Sequence, residues 1–267
     1  MLKDITLGQY FPIDSILHKL DSRTKILILI LDIVAIFMAH SLLSQLLIVL
    51  FTLFIIFASK VPAKMYFKGL KPILFVIVFT ALLNMFLTDG RDLPILGYSV
   101  GITVEGVQVA ARMALRLVLL ILTSSALTYT TSPMALTDGI EKLLKPLSKI
   151  GFPAHELAMM MSIAIRFIPT LIEETDKIMK AQQARGASFD TGSIIKRAKA
   201  LIPMLVPLFI SAFRRADELA VAMESRCYRG GDTRTRMREI RFSLIDLWGW
   251  LLFLLYFAAV ITLNFLF

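Results

Sequence analysis

Two arginines are the residues in this chain whose type and spacing best suit chemistry with a partner. Gln183-Ala184-Arg185-Gly186 and Glu224-Ser225-Arg226-Cys227 each close a long amphipathic stretch, and the arginines stand 41 residues apart. A guanidinium is permanently charged, planar and able to make two parallel hydrogen bonds to one carboxylate. Flanked by small residues (Ala184, Gly186, Ser225), it suits an acidic groove on another protein. Each end also has a purely local account. A helix C-terminus carries partial negative charge and unpaired carbonyls that favour a basic residue, and Gly186 suits the left-handed position that closes a helix. That account covers either end alone and leaves the pairing of two such ends unexplained.

The stretches leading to the arginines repeat each other. Ile168, Leu171, Ile172, Thr175, Ile178 and Met179 fall on one helical face, and adding 41 gives Phe209, Ala212, Phe213, Ala216, Leu219 and Ala220, again an apolar stripe. Asp176 lands on Asp217, Ala181 on Ala222 and Arg185 on Arg226. Helical periodicity alone aligns any two amphipathic helices, but an Asp and an Arg nine residues apart in both favours a functional repeat. The pattern predicts a short helix at Met134–Leu147 and two long ones at Ala154–Ala184 and Ser193–Ser225, joined by a turn at Gly186–Gly192. Rods of about 31 residues are near 45 Å long. Consecutive helices run antiparallel or cross, so their C-terminal tips are expected far apart, as for two partner subunits. Pro169, Pro203 and Pro207 are expected to bend the rods. Met159-Met160-Met161, with Met134, Met179, Met204 and Met223, supplies a deformable apolar surface, although core filler is the more ordinary use of any one methionine.

Catalytic chemistry is missing from the pattern. The chain has no G-x-x-x-x-G-K-[ST] phosphate loop, no G-x-S-x-G and no H-E-x-x-H. Cys227 is alone, and His18, His40 and His155 are scattered, so no catalytic residue and no metal site is expected.

What positions the arginines is a membrane protein. The 267 residues are 57% hydrophobic with mean hydropathy +0.74 and only 18% charged, which excludes a disordered chain, a disulfide-rich module and an ordinary soluble enzyme. Five spans are expected, at Lys25–His40, Leu42–Ala58, Pro72–Thr88, Gly106–Tyr129 and Ser243–Phe265, the first two forming a hairpin at His40–Ser41. Lys19, Arg23 and Lys25 precede the first span, and Lys60, Lys64, Lys68 and Lys71 follow the second, whereas Asp89–Glu105 is acidic. Basic loops stay in the cytoplasm, so the N-terminus is expected inside and the C-terminus outside. The organisation is then a four-span region at 1–130, a cytoplasmic helical domain at 131–241 with a net charge of +6, and a last span at 242–267. Ionisable groups at membrane depth warrant a role by default. Asp32 and Arg116 are expected at similar depth and facing the bundle interior, where the two are candidates to pair, with Asn84 as a further polar contact; Arg112 is expected to snorkel toward the outer headgroups.

With these residues in view, the whole chain resembles the T component, the transmembrane coupling subunit, of energy-coupling factor transporters. The opening Gly8-Gln9-Tyr10-Phe11-Pro12, continuing through Asp14-Ser15-Ile16-Leu17-His18-Lys19-Leu20-Asp21-Ser22-Arg23-Thr24-Lys25, is similar to the family's N-terminal signature. Ala184-Arg185-Gly186 and Ser225-Arg226-Cys227 resemble its two coupling motifs, with Ser225 and Cys227 replacing Ala and Gly of the ideal motif, and Ser22 stands where the family often has Pro. The resemblance implies an all-α membrane protein with crossed amphipathic coupling helices, two cytoplasmic ABC ATPases docked through Arg185 and Arg226, and interchangeable membrane-embedded substrate-binding S subunits for vitamins or other micronutrients. The apolar stripes, with Met159, Met160, Leu171, Ile172, Phe209 and Phe213, would carry the S subunit. ATP and Mg would be held by the ATPases, with no cofactor in this chain. A self-contained secondary transporter or channel is the alternative, but such proteins usually repeat spanning helices around a polar midplane site. An intramembrane enzyme would need paired carboxylates or His within the spans, and Asp32 stands alone. The charge of +9 reflects positive-inside topology and anionic lipid contact rather than nucleic-acid binding.

Overall fold

Long runs of Leu, Ile, Val and Phe fold as helices here because a lipid-exposed segment must satisfy its backbone N–H and C=O groups internally. The structure, a computed structural model, describes residues 10–95, 98–187, 193–230 and 242–266. Its elements in chain order are α1 (Ile16–Lys19), α2 (Ser22–Met38), α3 (Leu42–Ser59), α4 (Ala63–Leu70), α5 (Leu74–Leu87), β1 (Asp92–Ile95), β2 (Tyr98–Thr103), α6 (Val104–Thr130), α7 (Pro133–Leu144) with a 3-10 turn at Lys145–Ile150, α8 (Ala154–Ala184), α9 (Ile194–Ser225) and α10 (Leu244–Leu266). The two strands form a small antiparallel hairpin that pairs Pro94 with Ser99 and Ile95 with Tyr98; everything else regular among the described residues is helical.

The architecture is that of a multi-pass helical membrane protein, with two departures from the expected spans. The expected span at Pro72–Thr88 is the second half of a bent pair, α4 and α5, which meet at 58°. Pro72 sits at the break, where its missing N–H and its ring interrupt a continuing helix. By length and hydropathy α3, α6, α10 and also α8 reach what a crossing needs, and the α4–α5 pair is a fifth candidate. The 17-residue α2 is slightly shorter. The 31-residue α8 also carries Glu156, Arg166, Glu173, Glu174, Asp176, Lys177 and Lys180, a charge load that fits an amphipathic helix rather than a lipid-facing one.

The described residues fall into two compact units, one within Gln9–Gly139 and Ile240–Phe267, the other within Ile140–Glu239. In the first, Ala35, Ile36 and Ala39 of α2 and its end, Ile48 of α3, Leu119 of α6, and Phe253, Tyr256 and Val260 of α10 make the central core. A second cluster joins Val61 and Tyr66 to Ala126 and Tyr129.

Polar groups inside this unit tie distant helices together. Asp32 is 1% exposed and accepts a hydrogen bond from Tyr256 Oη at 3.0 Å; Arg116 instead donates to the Phe37 carbonyl at 3.3 Å and lies over the Phe37 ring. The candidate Asp32–Arg116 pair does not form. The two are offset along α2: Arg116 is level with Phe37, five residues or about 7.5 Å beyond Asp32, while Tyr256, stacked on Phe51 with ring centroids 3.8 Å apart, brings its hydroxyl to the carboxylate from α10. Asn84 is likewise absorbed locally, donating to Thr80 of its own helix at 2.8 Å. Tyr256→Phe removes the bond to Oδ1 of a buried carboxyl whose Oδ2 has no partner among the described residues. It is expected to cost about 2 kcal/mol, read as a lowered melting temperature in detergent, whereas Asn84→Leu should leave it nearly unchanged.

The N-terminal signature works as an anchor. Ser243 caps α10, accepting from the Ile245 N–H, while Asp246 reaches back to the Ser243 N–H at 2.8 Å, a capping box. The second oxygen of Asp246 accepts from the Asp21 N–H at 2.7 Å. Asp21 in turn caps α2 and holds the guanidinium of Arg23, which lies over Phe242. Lys25 donates to the Thr130 carbonyl at 2.9 Å, joining the start of α2 to the end of α6.

Candidate functional site

The ends of α8 and α9 close by the same backbone device. At α8 the Ala187 N–H reaches back to the Gln182 carbonyl at 3.0 Å and the Gly186 N–H to Gln183 at 2.9 Å, with Gly186 at φ +91°. At α9 the Tyr228 N–H reaches Met223 at 3.0 Å and the Cys227 N–H reaches Glu224 at 2.8 Å, with Cys227 at φ +56°. Both are Schellman closures, and in both the arginine, Arg185 or Arg226, is the last residue before the left-handed turn. Ala184, Arg185, Gly186, Ser225, Arg226 and Cys227 are all exposed. The 41-residue offset thus extends to the caps themselves. Residues 188–192 of the expected turn between the helices lie outside the described residues.

Gly186 is suited to its left-handed φ; Cys227 occupies the equivalent position with a side chain. A Cβ at Gly186 would meet no atom within 4 Å, so the penalty at such a position is backbone conformation rather than crowding. A left-handed non-glycine residue costs roughly 1–2 kcal/mol, and glycine gives back roughly 0.5–1 kcal/mol of that through its freer unfolded chain. Cys227→Gly is therefore expected to stabilise this helix end by about 0.5 kcal/mol, seen as slower amide exchange over residues 223–228.

A polar bridge fixes how the two helices pack. Glu174 on α8 accepts from Ser211 Oγ at 2.8 Å and from the Arg215 guanidinium on α9. The hydrogen bond from the Ser211 hydroxyl first, and then that from the Arg215 guanidinium, hold the Glu174 carboxyl below the ordinary carboxylate range. From there Ile163, Phe167 and Leu171 share a groove with Ala212, Ala216, Leu219 and Met223. Earlier residues of α8 thus meet later residues of α9, so the helices run in opposite directions where they touch. Glu174 and Arg215 are themselves 41 apart, as are Leu171 and Ala212, which makes the seam an approximate two-fold centre relating the repeats. Each arginine lies about 13 residues beyond that centre on its own helix, roughly 20 Å away, so the tips sit on opposite sides and up to about 40 Å apart.

The comparisons with known proteins agree with this architecture. Residues 14–237 match the CbiQ family, described as Cobalt transport protein. The chain is 60% identical over 247 residues to the energy-coupling factor transporter transmembrane protein EcfT of Clostridium kluyveri, covering 92% of each. It is 56% identical over 246 residues to the EcfT of Ruminiclostridium cellulolyticum, again 92% of each, and 52% identical over 264 residues to that of Acidaminococcus fermentans, covering 99% of this chain and 98% of that one. The chain belongs to the EcfT family. It is a transmembrane component of an energy-coupling factor transporter, a multi-pass membrane protein.

Within this EcfT-family chain the other candidate residues take different positions. Phe209 and Phe213 are exposed and packed on each other at 4.6 Å, alongside exposed Leu205, Val206 and Ile210. Met160 is exposed and Met159 half-buried. Leu171 and Ile172 are also half-buried, and Leu171 lines the α8–α9 groove. The bridge of Glu174, Ser211 and Arg215 is a feature the sequence reading missed. Its available signal was the opposite charge of two positions 41 apart inside a repeat. Among the described residues no cluster of His, Cys, Asp or Glu is arranged to hold a metal ion.

Proposed function

We propose that this chain is the coupling subunit of an energy-coupling factor importer, passing ATP-driven motion from two cytoplasmic ABC ATPases to an exchangeable substrate-binding S subunit that takes up vitamins or other micronutrients. The observation that carries the reading is the pair of identically closed, exposed helix ends, each presenting one arginine on either side of a two-fold seam. Two equivalent levers suit two equivalent motors that close on each other, since relative motion of the motors is then transmitted symmetrically to the seam. Each guanidinium forms charge-assisted hydrogen bonds with a carboxylate-lined groove on its ATPase. The exposed aromatic and aliphatic face around Phe209 and Phe213 is the seat of the S subunit, where an apolar surface of that kind needs a cover. ATP and Mg belong to the ATPases, and this subunit is non-catalytic. The N-terminus is cytoplasmic and the C-terminus extracellular, a reading supported by the lysine-rich segments on either side of the first two spans.

The test is reconstitution. The tagged full chain, co-expressed with the two ATPases and one S subunit and extracted in mild detergent, is expected to bring down both ATPases and to support ATP-dependent uptake in proteoliposomes. Uptake by the chain alone, driven by an ion gradient without ATPases, would instead establish the secondary-transporter reading.

A further inference from the structure

We infer that Arg112 and Arg116 form a binding site for the phosphate of an anionic phospholipid, in the leaflet on the side of the α2–α3 turn. The two lie four residues apart on one face of α6. Their level follows from Arg116, whose guanidinium donates to the carbonyl of Phe37, one residue before the end of α2. That helix turns back into α3 through Ala39–Ser41, so Arg116 stands at the membrane edge, and Arg112 is about 6 Å further out along α6.

Neither arginine forms an ion pair among the described residues. Arg112 is exposed and, among the described residues, donates only to the Gln108 carbonyl of its own helix, at a long 3.4 Å. Glu105, seven residues earlier on α6, is occupied by the Arg91 N–H at 2.7 Å. Two guanidiniums with no ion-pair partner among the described residues, at headgroup level, fit a phosphodiester, and Gln45 lines the same cleft between α3 and α6. The surroundings select a lipid over free phosphate: Phe37, Met38, Leu42, Leu43 and Met113 expose apolar side chains beside the pair, where acyl chains would lie.

The experiment uses the purified transporter complex in nanodiscs of phosphatidylcholine containing phosphatidylglycerol, with co-purifying lipid counted by native mass spectrometry. Wild type is expected to retain phosphatidylglycerol in preference to phosphatidylcholine. Arg112→Gln should lower that retention about tenfold, the size of one lost charge-assisted contact, and Arg112→Lys should restore part of it. Arg116→Gln also uncaps α2, so the exposed Arg112 carries the decisive comparison. Inorganic phosphate should not displace the lipid. Equal retention of both lipids, unchanged retention in Arg112→Gln, or displacement by inorganic phosphate would overturn the assignment.

Discussion

Replacing both Arg185 and Arg226 by alanine is expected to release the ATPases from the transporter and abolish ATP-driven uptake, while the chain still inserts and folds. Both side chains are exposed at helix C-termini, so their loss costs the fold little, about 0.5 kcal/mol each through the helix dipole. A guanidinium seated in an acidic groove contributes much more to association, roughly 1.5–3 kcal/mol per charge-assisted hydrogen bond. Each single substitution should therefore weaken ATPase retention about ten- to a hundredfold, and the double should eliminate it. Lysine at either position keeps the charge and loses the fork, and is expected to fall between arginine and alanine. Co-purification ratios together with melting temperatures separate docking from folding. A double variant that retained both ATPases and full uptake would end the coupling assignment.

Asp246→Ala is expected to be the most destabilising single change in the membrane unit, by about 3–5 kcal/mol. Asp246 is 1% exposed, and its two oxygens accept the N–H groups of Ser243 and Asp21. Alanine uncaps α10 and also strands the backbone donor at the start of α2, where water cannot replace the lost acceptor. Asp246→Asn keeps one carbonyl acceptor and is expected to lose about half as much. The check is the melting temperature of the purified chain in detergent, where both variants should fall with the alanine variant lower. The same change should loosen Arg23, since its partner Asp21 is held in place through that bond. Near-wild-type melting of Asp246→Ala would mean that apolar packing of Phe253, Tyr256 and Val260 alone seats α10.

The helix limits show how far local pattern reaches. Ala154–Ala184 is α8 to the residue, and Ser193–Ser225 differs from α9 by one, because a 3.6-residue apolar period and flanking turn residues are properties of the segment itself. The three internal prolines leave both rods continuous. The break before α5 shows the limit of the same reasoning: Pro72 is visible in the sequence, but the 58° bend that makes α4 and α5 together a candidate span is not. Asp32 and Arg116 illustrate the other limit. Both are visible as ionisable groups at depth, and opposite charge at similar depth argued for a pair, yet their partners are Tyr256 and the Phe37 carbonyl.

By itself, then, the amino-acid order determined a helical membrane protein with a basic amphipathic segment and two arginine-tipped helix ends, because hydropathy, helical period and capping chemistry all act within a few residues. Tertiary structure alone decided that Asp32 meets Tyr256, that Asp246 captures the start of α2, and that Glu174 bridges to Arg215 across an antiparallel seam. Those partners lie 224, 225 and 41 residues apart, and which helices come together depends on side-chain fit between whole faces, a property that no single segment carries.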